Sequence, residues 1–205
     1  LKTAAPYDDG AFYFRLTTRP LDQAPFEAAR KRIGDAVLRR QVLSGGYRLF
    51  DAFEQFPELR GNDDGERVPM VHLVASGAVM PEVLAAAAEL CSEGVAAHVV
   101  DVTSADRWYG SWQRTLRQAV RTASAPSLPG PLWSVIGDRA PIVTIQDASS
   151  HAMAWMGSAI GVPCVSLGVD SFGQSGTVKD LYNMNDLSSG AIVNAALASL
   201  ALDNR

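Results

Sequence analysis

The stretch that decides the fold is "PMVHLVASGAVMPEVLAAAAELCSEGVAAHVVDV", residues 69–102. "PMVHLVA" is an apolar run of strand length, "SGAVMPEVLAAAAELCSE" reads as a turn and a helix, and "VAAHVVDV" is a second apolar strand. Together they make a βαβ unit. Strands that are apolar throughout, rather than alternating with polar residues, are buried on both faces, as in a mostly parallel sheet between helical layers. The alternation continues downstream. A helix ("ADRWYGSWQRTLRQAV") leads through a proline-rich crossover ("SAPSLPGPLW") to a strand ("APIVTIQ"), a helix ("SHAMAWMGSAI") and a strand ("VPCVSLG"). The helices "TVKDLY" and "SSGAIVNAALASLAL" close the chain. Upstream, "AFYFRLTT", residues 11–18, reads as a strand, and "RPLDQAP" breaks it. One amphipathic helix follows from Pro25, with Phe26, Ala29, Ile33 and Val37 at helical spacing and "SGG" at 44–46 as its stop. "YRLFDA" reads as a short strand, and residues 54–67, polar and rich in turn formers, as an exposed loop.

Composition narrows the function classes. The 205 residues include 18 basic and 22 acidic side chains, a net charge of −4, so no overall field draws a polyanion and nucleic acid is not expected as a partner. The dense basic run "ARKRIGDAVLRR", residues 29–40, reads as the solvated side of the amphipathic helix. Cys91 and Cys164 lack the number for a disulfide framework and the spacing for a zinc site, and both read as small buried hydrophobes. No apolar run reaches membrane-spanning length and "LKTAAPYDDGAF" lacks the core of a signal peptide, so a cytoplasmic protein is expected. A chain that begins at Leu1 reads as a piece of a longer protein.

In an open parallel sheet, ligands sit beyond the carboxyl ends of the strands. Four polar clusters fall there: Ser76-Gly77, Asp101 with Thr103 and Ser104, Asp147 with Ser149, Ser150 and His151, and Asp170-Ser171. A Ser-His-Asp hydrolase would want a Gly-x-Ser-x-Gly elbow, which is missing, and each hydroxyl lies where a helix begins, so helix capping is the better reading. "ASGAVMPE" opens a helix after a strand, where backbone N–H groups can receive an anion, but it has one glycine and no lysine, unlike a dinucleotide or phosphate loop. His151, four residues after Asp147 at a helix start, is the candidate for proton transfer. Ser76, Gly77, Asp101, Asp147 and His151 are thus the candidate strand-end anion or ligand pocket. His72 and His98, inside apolar strands, read as hydrogen-bonded core residues, and Trp108 and Trp112, one turn apart, as rings buried in a domain or subunit interface.

The second telling stretch is "LGVDSFGQSGTVKDLYNMNDL", residues 167–187. Gly173 and Gly176 permit positive φ on either side of Gln174-Ser175, Thr177 and Asp180 have capping-box spacing, and Phe172, Leu181 and Tyr182 are expected to bury beneath the turn. Lys179 lies within the helix rather than beside the glycines, so the segment reads as a structural turn, not a phosphate cradle.

From Val71 onward, strongly, and more weakly before it, the chain resembles the C-terminal domain of the transketolase superfamily of thiamine-diphosphate enzymes. The most specific part is Asp170-Ser-Phe-Gly-Gln-Ser-Gly176 followed by Leu181-Tyr182 and a final helix. Among members, the nearest match is the homodimeric decarboxylating component of the pyruvate dehydrogenase complex, because "AFYFRLTTRPLDQ" resembles the strand and exit that precede this domain there. Ala78-Val79 departs from the Ser-Glu of many relatives, and the loop at 54–67 is longer. The resemblance implies a three-layer α/β domain with a mostly parallel, mixed sheet of about five strands covered by helices on both faces. It also implies that residues 1–24 end a preceding pyrimidine-binding domain, 25–45 form a linker helix and 46–205 form the C-terminal domain. Thiamine diphosphate and Mg are expected in the full-length protein, held by preceding domains through a Gly-Asp-Gly motif and a glutamate, neither found here. The implied role is structural: a dimer-forming domain of a 2-oxo acid dehydrogenase component, inactive alone, whose parent serves a lipoyl-bearing acyltransferase. Three alternatives stay open: the C-terminal domain of a transketolase, a free-standing small-ligand binder using Asp147 and His151, and a docking module presenting Trp108 and Trp112.

Overall fold

The computed structural model describes residues 13, 14, 16–60 and 68–203. Five strands form one sheet: β1 (Gly46–Phe50), β2 (Met70–Ser76), β3 (Ala96–Val102), β4 (Ile142–Gln146) and β5 (Cys164–Leu167). Their order is β1-β3-β2-β4-β5, with β1 antiparallel to β3 and every other pair parallel. This is the mixed, mostly parallel α/β sheet that the apolar strands imply. Each parallel crossover carries a helix.

Period-two alternation divides the strand residues between two helical layers. Val71, Leu73, Ala97, Val99, Val143 and Ile145 pack with α4 (Met80–Ser92) and α9 (Ser189–Asp203). Val74, Val100, Val102 and Ile142 pack with α5 (Ala105–Thr122), α6 (Gly130–Ile136) and α7 (His151–Ile160). Truncating a wholly buried member such as Leu73 or Ile142 to alanine would cost about 2–5 kcal/mol, transfer and cavity terms together.

Four expectations change. The amphipathic helix is two helices, α1 (Ala24–Ile33) and α2 (Asp35–Ser44), because Gly34 takes φ 82° and caps α1 through its N–H to Arg30. The break shifts the helical phase, so Leu38 is buried and Val37 exposed. The expected loop is helical where described. Asp51 accepts the N–H of Phe53 at 3.1 Å to start α3 (Ala52–Gln55), a 3-10 turn covers Pro57–Arg60, and 61–67 lie outside the described residues. The proline-rich crossover ends in α6, whose Pro131 sits in the first turn, where the missing N–H has no partner to lose. Of the expected first strand, residues 13, 14 and 16–18 are not in a strand, and 11, 12 and 15 lie outside the described residues. Among the described residues no helix is long and apolar enough to cross a membrane.

Both strand histidines are core residues. They pair directly across β2 and β3 with rings stacked at 5.6 Å. His72 Nε2 meets Asp138 at 2.6 Å, and His98 Nδ1 accepts the N–H of Ala52 at 3.2 Å. Trp108 is wholly buried in this domain's own core rather than in an interface, while Trp112 is half-buried and stacks on Trp155 at 5.3 Å.

Candidate functional site

The carboxyl ends of β2, β3 and β4 open into a cavity of about 660 Å³. Gly77, at φ 87°, turns the chain from β2 toward α4 and borders this cavity. Ser76 does not cap α4, as expected of it. Its hydroxyl donates to the carbonyl of Val102 at 3.1 Å, tying the ends of β2 and β3, and Val79 occupies the N-cap position with no side-chain bond. From β4 comes Asp147, half-buried, and from α8 (Val178–Met184) Tyr182. Burial, and then the charge of Asp147, push the Tyr182 phenol above its ordinary pKa. Arg19 is the one cation among the described lining residues.

The five candidate residues therefore separate. Ser76, Gly77 and Asp147 line this cavity. Asp101 lines a second one, of about 360 Å³, which Gly77 also borders. The reason is parity: β3 runs to Val102, so Asp101 is still a strand residue and its side chain follows Ala97 and Val99 toward the α4 layer. There the hydroxyl of Tyr47 donates to Asp101 Oδ2 at 2.8 Å. Burial raises the Asp101 carboxyl, and the Tyr47 bond opposes it.

His151 is exposed and lines neither cavity. Its Nδ1 lies 2.8 Å from Ser149 Oγ, and that hydroxyl donates to Asp170 Oδ1 at 3.0 Å. A hydroxyl has one proton. With it given to Asp170, Ser149 accepts from the imidazole, the reverse of a serine activated by a histidine base. The trio is a cap: Asp170 also accepts the N–H of Ser150 at the start of α7. Hydrogen bonds from Ser150, then Ser149, hold the Asp170 carboxyl below the usual carboxylate range.

Residues 168–177 follow the capping reading only in part. Thr177 Oγ1 accepts the N–H of Asp180 at 3.2 Å and starts α8. Gly173 and Gly176 are not at positive φ, and Phe172 is 98% exposed instead of buried, because Asp170 anchors the loop to α7 and leaves its tip projecting. Gly168 matters more. A Cβ there would stand 2.5 Å from the Ala148 carbonyl and the Ser150 nitrogen, so only glycine lets this strand exit reach α7. Sequence reasoning missed Arg19, Gln146 and Tyr182 as lining residues. Gln146 alone carried a signal, as the last residue of an apolar strand.

Residues 62–188 match the family described as the transketolase-like TK C-terminal domain. No curated protein matches the chain in sequence. Among solved structures, it is similar to a Pichia stipitis transketolase in complex with sedoheptulose-7-phosphate, at 16% identity and TM-score 0.53, covering 80% of this chain and 19% of that one. A transketolase from Leishmania mexicana gives 17% identity and TM-score 0.53 over 81% and 19% of the two chains. One from Campylobacter jejuni gives 19% identity and TM-score 0.50 over the same shares. At these identities the likeness is one of fold, and this chain spans about a fifth of each relative.

Proposed function

Given that the chain belongs to the family of transketolase-like C-terminal domains, we propose that it is the scaffold and dimerisation domain of a longer thiamine-diphosphate-dependent enzyme. In this reading residues 1–24 end the preceding pyrimidine-binding domain, 25–45 are the linker and 46–205 the domain itself. The parent enzyme is the decarboxylating component of a 2-oxo acid dehydrogenase, passing its acyl group to a lipoyl-bearing acyltransferase. What supports that parent is the resemblance of "AFYFRLTTRPLDQ", residues 11–23, to the segment that precedes this domain there. A transketolase is the alternative parent, and fold is all that the solved transketolases share with this chain.

The observation that carries the scaffold role is the apolar surface at the strand ends. Tyr13, Leu16 and Val178 line the larger cavity and are 89%, 78% and 48% exposed, and Phe172, beside the lining Gly173, projects fully. Apolar side chains grouped at one rim suit burial against the preceding domains of the proposed parent or a second copy. Among the described residues no three of His, Cys, Asp and Glu come together to hold a metal ion. In this reading thiamine diphosphate and its metal are held by the preceding domains, so no catalytic step is assigned to these residues.

The test is expression of the uninterrupted reading frame that contains this chain, assayed for pyruvate-dependent reduction of an electron acceptor and for ketol transfer between sugar phosphates. The first activity is expected, with none from the 205-residue chain alone. Ketol transfer would move the assignment to the alternative parent, and turnover of pyruvate by the isolated chain would overturn the scaffold role.

A further inference from the structure

The second cavity lies between the start of α1 and the first turns of α4. Its volume, about 360 Å³, falls within the range of about 300–1,000 Å³ usual for small-molecule sites. Phe26, Leu49, Met80 and Leu84 give it apolar walls, and the rings of Phe26 and Tyr47 meet edge to face at 6.0 Å. Its charged lining is acidic, from Asp22 and Asp101, with no lysine, arginine or histidine. The first turn of α4 borders it too, and Glu82 in that turn answers the partial positive charge of the helix end.

Asp101 is the polar focus. Among the described residues, the Tyr47 hydroxyl on Oδ2 is its one hydrogen-bond donor. A carboxylate accepts up to about four hydrogen bonds, so Asp101, half-buried and with a single neutral donor, has acceptor capacity left toward the cavity. A cationic N–H donor answers both the charge and the missing bonds. Ring faces such as those of Phe26 and Tyr47 add cation–π attraction. An anionic ligand finds no counter-charge.

We propose that this cavity binds a small protonated amine with an apolar body, the ammonium on Asp101 and the body against Phe26, Leu49 and Leu84. The site shares only Gly77 with the strand-end cavity and is independent of the parent enzyme's identity. It selects by charge, and it rejects the carboxylates and phosphates of 2-oxo acid or sugar phosphate chemistry.

Calorimetry and ¹H–¹⁵N spectra of the full chain with benzylammonium, benzyl alcohol and benzoate test this. Benzylammonium should bind saturably and about tenfold tighter than benzyl alcohol, the value of one charge-assisted hydrogen bond, with benzoate weakest. Asp101→Asn, nearly isosteric, should erase the preference for the ammonium, and Leu84→Phe should weaken both ligands by filling the cavity. If either variant fails to fold, contacts from the benzyl ring to Phe26 and Leu84 in the wild type decide the location. Absence of saturable binding, equal affinity for alcohol and ammonium, contacts elsewhere, or a preference that survives Asp101→Asn overturns the proposal.

Discussion

The carboxylate of Asp170 accepts the backbone N–H of Ser150 at 2.9 Å, joining the exit of β5 to the start of α7 across 20 residues of sequence. Asp170→Ala should lower the melting temperature, and Asp170→Asn, which keeps an acceptor oxygen, should lower it less. The carboxyl is held below its ordinary range, so its contribution is present above that range and lost as pH falls through the folded value. Thermal unfolding at neutral and strongly acidic pH should show the gap between wild type and Asp170→Ala closing in acid.

His98 should make stability depend on pH. Burial, then Arg48 and His72, push it from 6.5 to about 4, against the pull of Asp51 and Asp138. The N–H of Ala52 on Nδ1 requires that nitrogen to be unprotonated, so the 3.7 Å approach to Asp51 is not an ion pair. Between these pH values the unfolded chain binds a proton that the folded one refuses. Stability should therefore fall as pH drops from about 6.5 to about 4, by up to ~3 kcal/mol. Urea unfolding across that window checks it, and His98→Gln should flatten the slope. An unchanged slope in the variant would place the pH dependence elsewhere.

Gly46 and Trp108 are matched. A Cβ on Gly46 would lie 2.5 Å from Trp108 Cη2 and 2.7 Å from the Asp101 carbonyl oxygen. Gly46→Ala should cost about 1–3 kcal/mol, and Trp108→Ala about 3–5 kcal/mol. The double variant should be less unstable than the sum, since the displaced ring is gone. A double-mutant cycle by chemical denaturation measures this. Strict additivity would refute the clash.

Phe172, almost fully exposed, offers the direct test of the association surface. Phe172→Ser should leave folding stability within about 0.5 kcal/mol while weakening self-association about tenfold or more, as for a central aromatic anchor. Sedimentation equilibrium reads the second effect. An association constant that does not move removes Phe172 from the interface.

Much of this architecture was legible in the order of residues alone. Continuous apolar runs in "MVHLVAS" and "AAHVVDV", and helical period in "PEVLAAAAEL", are local patterns that burial imposes, and the central parallel strands and the helix between them followed from them. What sequence could not place was convergence. Asp101 and Asp147 look alike at the ends of apolar strands, yet they serve different cavities, because β3 extends one residue beyond Asp101 whereas β4 ends at Gln146 before Asp147. His151 turns away because Ser149 is held by an aspartate 21 residues further on. Phe172 projects because the loop is anchored on one side, at Asp170. Local hydrophobic period records which face of an element is buried. The direction of a polar side chain at an element's end depends on where the hydrogen-bonded ladder stops and which distant partner caps the next helix, and those are settled only when the layers pack.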